Sequence, residues 1–383
     1  MHLRDIPDPP GIRRAKTLPA AAYGAADFYE RERTAIFGRD WLCAGVVDEM
    51  PSAGAWTARV VGGLPVLFVR DKAGELRAFL NVCRHRASPL CEDGETHGGS
   101  LIRCPYHSWL YQLDGSLARA SGVGSPDDFD VADYSLKAVR LAEWRRVVFV
   151  CVDDSAEPFD LGALGAAIAA YPLESMELAL SESNDRPFNW KVLLENYSEN
   201  YHTPFVHPEI DTSSNEDYPM ISDGIVLYAW DRPLRPSGSR VDEIRATLLP
   251  GEAGWHELAE APMDGPYGIG GYLTVWPNLM INVFPGACLA MWMEPLDATT
   301  TRVERRLYVR PDLDDTTRKS IVTAHQRVHD QDVDICTRVQ RSHNAGIDAD
   351  GVLATVEERG VYFVHEHLRN RLQVCNGPRV EPS

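Results

Sequence analysis

The 383-residue chain lacks the marks of several large classes of protein. The longest apolar candidate for a membrane span, residues 161–173, is Ala-rich and too short. Eight cysteines are too few for a disulfide scaffold in a chain of this length. Asp and Glu (56) outnumber Lys and Arg (38), so the net charge of −18 argues against nucleic acid or an anionic membrane as partner. The first residues show no signal-peptide core, and we expect a reducing cytoplasm.

What remains is an ordinary globular composition, 44% hydrophobic and 25% charged, with enough length for two domains. Residues 25–37 read as an amphipathic helix with Phe28, Thr34 and Phe37 on one face. From residue 41 the chain changes to short β-branched runs broken by glycine, which predict a small antiparallel β domain. Its predicted strands are residues 56–60, 64–69, 76–82 and 147–152.

Four potential metal ligands occur in two short stretches of this β domain. Cys83 and His85 form a Cys-x-His pair, and Cys104 and His107 form a Cys-x-x-His pair. Two thiolates and two imidazoles can hold zinc or the two irons of a Rieske [2Fe–2S] cluster. Zinc modules usually keep their cysteines together and their histidines together. Because each stretch here carries one of each, we favour the Rieske cluster. Two further residues fit neither pattern: Cys91 and His97.

A second candidate site begins at residue 190. Residues 190–201 contain no helix breaker, and Pro204 should end the helix near His202 because proline disfavours helix in the residue before it. His207 would then come from the following loop. A break between two histidines five positions apart lets both imidazoles converge on one point.

Two imidazoles need a third ligand, and a carboxylate completes the 2-His-1-carboxylate face of non-haem iron(II) sites. The predicted helix at 315–342 places Asp332 in a stripe with Val328, Ile335 and Val339. A carboxylate that faces a core is costly unless it is paired or bound to metal. On spacing alone, two other interpretations of Asp332 are equally good: that it pairs with a nearby arginine, or that it is exposed at a helix end.

Three segments together resemble the Rieske-type non-haem iron oxygenases, the ring-hydroxylating oxygenase alpha-subunit family. They are residues 81–86 (NVCRHR), residues 104–109 (CPYHSW), and residues 189–207 with the late helix. The resemblance implies an α+β fold with an N-terminal antiparallel β Rieske domain and a C-terminal, helix-grip-like antiparallel sheet with helices. We expect an arm and helix at 1–39, the Rieske domain at 40–155 and the catalytic domain at 156–383. Plausible catalytic-domain strands are residues 224–230, 271–284, 287–293 and 303–309.

The resemblance also implies roles for individual residues. Asn196 matches a family position close to the mononuclear iron. Glu199, where most members have Asp, would bridge two ligand histidines across a subunit interface. The family usually has Gly at the positions of Ala87 and Ser108. The implied cluster ligands are Cys83, His85, Cys104 and His107, and the implied ligands of the mononuclear iron(II) are His202, His207 and Asp332.

The implied activity is that of a terminal oxygenase that activates O2. Its electrons would come from a separate NAD(P)H-dependent reductase, with or without a ferredoxin, because the chain has no dinucleotide fingerprint, flavin module or ferredoxin module of its own. The family forms rings, usually homotrimers.

The substrate expectation comes from one short segment. Glu199 and residues 207–210 (HPEI) look like the branch that hydroxylates or N-demethylates quaternary ammonium compounds such as betaine, carnitine or stachydrine. Mono- or dihydroxylation of an aromatic acid is the alternative, and a Rieske electron carrier is the alternative outside the oxygenases. The aromatic residues available to receive a cation are Tyr201, Phe205, Tyr218, Trp230, Tyr272, Trp276 and Trp292.

Overall fold

The computed structural model describes residues 11–124, 126–161, 171–207, 220–221, 225–230, 270–284 and 286–374. The chain divides into two compact units, Phe37–Phe159 and a second unit made of Met1–Ile36 with Asp160–Ser383. Within the described ranges, no helix combines the length and the apolar character needed to cross a membrane. The predicted domain limits and the cytoplasmic location stay predictions.

The Phe37–Phe159 unit is built on a seven-stranded antiparallel sheet and a small three-stranded sheet. The larger sheet has the order β1-β10-β9-β4-β3-β2-β5, and the smaller one has the order β6-β7-β8. The strands are β1 (Leu42–Val46), β2 (Ala55–Val61), β3 (Leu64–Arg70), β4 (Leu76–Leu80), β5 (Thr96–Gly98), β6 (Ile102–Arg103), β7 (Leu110–Tyr111), β8 (Leu117–Arg119), β9 (Ala138–Trp144) and β10 (Val147–Cys151).

The predicted strands of this unit are confirmed as β2, β3, β4 and β10, although β4 ends two residues early. A two-residue turn joins β2 to β3, and both of its residues, Gly62 and Gly63, have positive φ. A hairpin turn of this kind favours glycine at both positions. The first ligand-bearing stretch, residues 81–86, follows β4, and the second, residues 104–109, lies between β6 and β7. Strand ends therefore hold both stretches.

The second unit contains another seven-stranded antiparallel sheet, with the order β11-β17-β16-β15-β14-β13-β12. One prediction is wrong here, because residues 271–284 form two strands. The chain turns at Trp276–Pro277, where proline cannot donate a ladder hydrogen bond. Residue 224 lies outside the described residues. The strands are β11 (Glu177–Arg186), β12 (Met220–Ile221), β13 (Ile225–Trp230), β14 (Gly270–Val275), β15 (Leu279–Phe284), β16 (Ala287–Pro295) and β17 (Thr301–Val309).

Five α-helices are described in this second unit. They are α1 (Ala26–Glu32), α2 (Trp190–Tyr197), α3 (Thr203–Val206), α4 (Asp315–Asn344) and α5 (Arg359–Val374). The side chain of Asn189 caps α2, and the side chain of Asp314 caps α4, by accepting backbone N–H groups of the first turn.

The predicted faces of α1 and α4 need correction. Thr34 is exposed in the wide turn that follows α1, and Val339 on α4 is 39% exposed. Hydrophobic spacing failed on α4 because its inward face carries polar side chains with specific partners, such as Gln340, which accepts the N–H of Asn189 at 2.8 Å. Asp332 still lies on this inward face. The buried positions around it are Ile321, His325, His329, Cys336 and Gln340.

A buried ion pair joins α1 to the start of α2. The Nζ of Lys191 donates to Glu32 Oε1 at 2.6 Å, and both side chains are 0% exposed. Lys191 also donates to the side chain of Asn189 at 2.8 Å, while the indole N–H of Trp190 donates to Glu32 at 3.1 Å. Burial raises the pKa of Glu32 and lowers that of Lys191, so each keeps its charge only because the other lies beside it.

We expect Lys191→Met to lower the free energy of unfolding by about 3–5 kcal/mol, because it leaves the charge of Glu32 buried and unpaired. The measurement is equilibrium denaturation of the variant and of the wild type. The double variant Glu32→Gln/Lys191→Met should recover most of the loss, since Gln carries no charge and still accepts from Trp190. A loss below about 1 kcal/mol, the range of exposed ion pairs, would show that the pair is solvated.

A second prediction concerns His325 and His329, which are buried on α4. Burial, and then the nearby Arg305, lowers the pKa of each to about 3. The unfolded chain takes up these protons near pH 6.5, so stability is complete above that pH and falls as the pH drops toward 3. Each histidine should cost about 2 kcal/mol at pH 5 relative to pH 7. Denaturation at both pH values measures how much free energy of unfolding is lost between pH 7 and pH 5. This loss should be smaller in His329→Gln than in the wild type, and it should equal that of the wild type in the control His97→Gln, whose histidine is exposed. An equal loss in all three proteins would contradict this prediction.

Candidate metal centres

The two ligand-bearing stretches of the Phe37–Phe159 unit have the same backbone geometry. The carbonyl of Cys83 accepts the N–H of Ala87 at 3.0 Å, and the carbonyl of Cys104 accepts the N–H of Ser108 at 3.1 Å. Each cysteine N–H donates in turn to the carbonyl five residues further along, at 2.9 and 2.8 Å. Two equivalent tight loops therefore present one Cys and one His each.

The residue that closes each loop has a positive φ, the backbone conformation that favours glycine. Ala87 has φ 56° and Ser108 has φ 58°, both in the left-handed region that disfavours residues with a Cβ by roughly 1–2 kcal/mol. The side chain of Arg103 donates to the hydroxyl of Ser108 at 2.8 Å, which supports this loop.

The donors are arranged with sulfur inside and nitrogen outside. Cys83 and Cys104 are buried, whereas His85 is exposed and His107 is half-buried, with the imidazole centroids 4.5 Å apart. Two sets of three His, Cys, Asp or Glu donors within 4.8 Å of one another occur among the described residues, and neither includes Cys83 or Cys104. Two buried thiols beneath two imidazoles nearer the surface suit a cluster whose inner iron would take the cysteines and whose outer iron would take the histidines.

Aromatic residues adjoin these donors, among them Tyr111 and Trp109. The hydroxyl of Tyr111 lies 3.3 Å from Cys83 Sγ and accepts the N–H of Arg84 at 3.0 Å. With a metal-bound thiolate beside it, the hydroxyl must donate, and hydrogen bonds to ligand sulfur tune the reduction potential of an iron–sulfur cluster. Trp109 is buried and stacks on His85 with centroids 4.9 Å apart. Sequence reasoning missed Tyr111, because nothing in the spacing marks it.

One of the two donor sets is Cys91, Glu95 and His97, of which Cys91 and His97 fit neither ligand pattern of the sequence. Glu95 and His97 are exposed and interact with each other at 3.1 Å. The thiol of Cys91 points to the backbone carbonyl of Glu95 at 3.3 Å, and burial raises the pKa of this thiol. These contacts describe a structural cysteine beneath a polar surface turn.

The other donor set is His202, His207 and Asp332, the three residues proposed from the sequence. The path of the chain differs from the prediction, because α2 ends at Tyr197. The carboxylate of Glu199 accepts the N–H of His202 at 3.0 Å and also contacts its ring, which fixes the turn. Pro204 was expected to disfavour helix at Thr203, but Thr203 begins α3, because proline is tolerated in the first turn of a helix.

The three donors converge on one point. Asp332 Oδ1 lies 2.9 Å from His207 Nε2 and 3.5 Å from His202 Nε2. Neighbouring ligands about 2.1 Å from one ion, at right angles, lie about 3 Å apart. Two imidazoles and a carboxylate with these separations fit the 2-His-1-carboxylate face that leaves other positions on iron(II) open.

The electrostatics of this set favour a cation. Burial opposes the charge on Asp332, but its hydrogen bonds to the two histidines prevail and lower its pKa. Burial also opposes protonation of His202, yet bonds to Asp332 and Glu199 raise its pKa to about 9. The site therefore holds positive charge in its protonated form, and a bound metal ion would replace those protons.

Gln331 and Tyr272 lie near this set, whereas no contact joins Asn196 to it in the described structure. Asn196, in the last turn of α2, is half-buried and makes no hydrogen bond to the three donors in the described structure. Gln331, which sequence reasoning missed, bonds His207 at 2.7 Å. Tyr272 is half-buried near Asp332, and the burial of its hydroxyl, followed by that negative charge, raises its pKa.

Family models match both units of the chain. The model "Ring hydroxylating alpha subunit (catalytic domain)" matches residues 173–374, more than half of the chain, and the model "Rieske [2Fe-2S] domain" matches residues 40–135.

Individual relatives are also similar over long stretches. The carnitine monooxygenase oxygenase subunit of Escherichia coli K12 is 28% identical over 93% of this chain and 94% of its own length. The glycine betaine monooxygenase oxygenase subunit of Pseudomonas aeruginosa UCBPP-PA14 is 34% identical over 62% of this chain and 53% of its own length. The solved structure of a quaternary ammonium Rieske monooxygenase has a TM-score of 0.75 and 25% identity, and the match covers 93% of this chain and 96% of that one. Naphthalene 1,2-dioxygenase from Rhodococcus sp. shares the fold, with a TM-score of 0.70 and 21% identity over 94% of this chain and 95% of that one.

The fold and the two family matches define a Rieske-type non-haem iron oxygenase, an enzyme with a [2Fe–2S] cluster and a mononuclear iron. The chain belongs to the ring-hydroxylating alpha-subunit family, in the branch with the quaternary ammonium monooxygenases. The predicted family, α+β fold class, enzyme class and cofactors are confirmed.

Proposed function

We propose that this protein is the terminal oxygenase that hydroxylates or N-demethylates a small quaternary ammonium compound. The observation that carries the proposal is the similarity, along nearly the whole chain, to oxygenase subunits named for carnitine. The relative named for glycine betaine supports the same chemical class of substrate.

The residues proposed from the sequence keep their roles in this proposal. Glu199 holds the ring of His202 in place, so that Nε2 presents its lone pair to the metal. When bound, the two iron centres supply dioxygen activation and one-electron transfer. Asn196 is proposed to act close to the mononuclear iron. The proposed ligands are Cys83 and Cys104 for one cluster iron, His85 and His107 for the other, and His202, His207 and Asp332 for the mononuclear iron.

The proposal includes two protein partners. A separate NAD(P)H-dependent reductase would deliver electrons, with or without a ferredoxin. Copies of this chain would form a homotrimer in which Glu199 of one subunit also bonds His107 of its neighbour. A relative described together with inter-subunit electron transfer supports this arrangement.

An aromatic wall beside the proposed iron site suits a cationic substrate. The ring of Tyr272 packs edge-on against Tyr197 at 6.0 Å and against Phe284 at 5.7 Å. Aromatic faces attract quaternary ammonium groups, and Asp332 adds negative charge nearby. We propose that Tyr272 receives the cation.

The other aromatic residues named from the sequence have different surroundings. Tyr201 and Phe205 are exposed, Trp276 packs on Trp190, and Trp292 packs on Arg306. Two more have side chains outside the described residues: Tyr218 and Trp230.

The test is turnover of trimethylammonium compounds, namely carnitine, γ-butyrobetaine and glycine betaine, with a reductase and NADH. Each is compared with a neutral analogue in which a tert-butyl group replaces the ammonium group. We expect at least one cation to be oxidised with kcat/KM roughly tenfold or more above its analogue, the size of a desolvated cation–π contact. Oxygen uptake and mass spectrometry of the product measure this.

The variant Tyr272→Leu checks the proposed cation contact. It should lower the ratio of kcat/KM for the cation to kcat/KM for its neutral analogue, because it removes the aromatic face and keeps an apolar side chain. Tyr201→Leu, at an exposed position, is the matched control and should leave the ratio unchanged. Turnover of aromatic acids with none of the cations would overturn the proposed substrate class.

A further inference from the structure

The two ring nitrogens of His207 have different partners on α4. Its Nδ1 lies 2.7 Å from the amide oxygen Oε1 of Gln331, and its Nε2 lies 2.9 Å from Asp332 Oδ1. Because an amide oxygen can only accept, Nδ1 must carry the proton. A neutral imidazole in this tautomer has its lone pair on Nε2, the atom that faces the other two donors.

Gln331 and Asp332 are neighbours in sequence and point about 100° apart around the helix. His207 is 2% exposed and lies at the C-terminal end of α3, so its imidazole lies between these two side chains. Two contacts from one rigid helix fix both the position and the rotation of the ring. Sequence periodicity gives no sign of this, since Gln331 has no place in an apolar stripe.

The two histidines also differ in the charge of their Nδ1 partners. His202 meets the carboxylate of Glu199, whereas His207 meets the neutral amide of Gln331. A carboxylate partner makes an imidazole more basic than an amide partner does. Glu199 and Asp332 already place two negative charges here, and Gln331 orients His207 without adding a third.

We propose that Gln331 is a positioning residue of the mononuclear iron site, which sets the tautomer and the ring orientation of His207. This inference rests on the proposed function, because it takes His202, His207 and Asp332 as the iron ligands. Partners of ligand histidines typically contribute 10–100-fold to metal affinity.

The test compares variants of the cluster-containing enzyme after its mononuclear iron has been removed. Anaerobic equilibrium dialysis against Fe(II) gives the dissociation constant, and EPR of the nitric oxide adduct reports the ligand field. Gln331→Leu and the shorter Gln331→Asn should weaken iron binding by about 10–100-fold, since neither brings an acceptor to Nδ1. Gln331→Glu should restore the affinity and change the EPR signal, because a carboxylate replaces the amide. The Rieske EPR signal should be the same in all variants.

The matched control is Gln326→Leu on the same helix. Gln326 bonds Arg305 at 2.8 Å and Asp330 at 2.9 Å, and it makes no bond to the three donors in the described structure. This control should bind iron like the wild type. Wild-type affinity in Gln331→Leu or Gln331→Asn, or an equal loss in the control, would overturn the role of Gln331. If the wild type itself bound no iron beyond its cluster, the proposed iron site would fail, and Gln331 would lose its role with it.

Discussion

The second unit depends on one electrostatic constraint, the enclosure of a carboxylate and two imidazoles in a site that is mostly, but not fully, shielded from water. Asp332 can stay ionised there only because His202 and His207 meet it within 3.5 Å. Without a cation, protons on the histidines must compensate its charge. A bound cation such as iron(II) would meet the same need, and the three donors lie close enough together to hold one.

The rest of the second unit keeps that enclosure in place. α2 starts at the buried pair of Glu32 and Lys191, so α1 anchors the segment that leads to His202. Gln340 on α4 accepts the N–H of Asn189, which ties the helix of Asp332 to the same anchor. The Phe37–Phe159 unit achieves a comparable rigidity with two equivalent loops that begin at strand ends. Each centre thus depends on regular secondary structure, although its ligands lie mostly in short loops.

Much of this could be predicted from sequence, because ligand chemistry leaves a local pattern. The Cys-x-His and Cys-x-x-His pairs indicated a Rieske cluster, and β-branched runs indicated the strands of its unit. Periodicity failed on α4, whose inward face carries histidine, cysteine and glutamine that tertiary contacts satisfy. It also missed the end of α2 at Tyr197, where the carboxylate of Glu199 fixes a turn that no helix breaker announces. Gln331 and Tyr111 act through contacts distant in sequence, and a single sequence cannot reveal such contacts.

The central claim is that one chain holds two distinct iron centres, and metal content tests it most directly. Iron and acid-labile sulfide are measured in the wild type and in Asp332→Ala, with EPR of the reduced cluster. The account predicts about three irons and about two sulfides per wild-type chain, and about two of each in the variant, with an unchanged Rieske signal. Zinc without sulfide in the wild type, or a third iron that persists in Asp332→Ala, would contradict it.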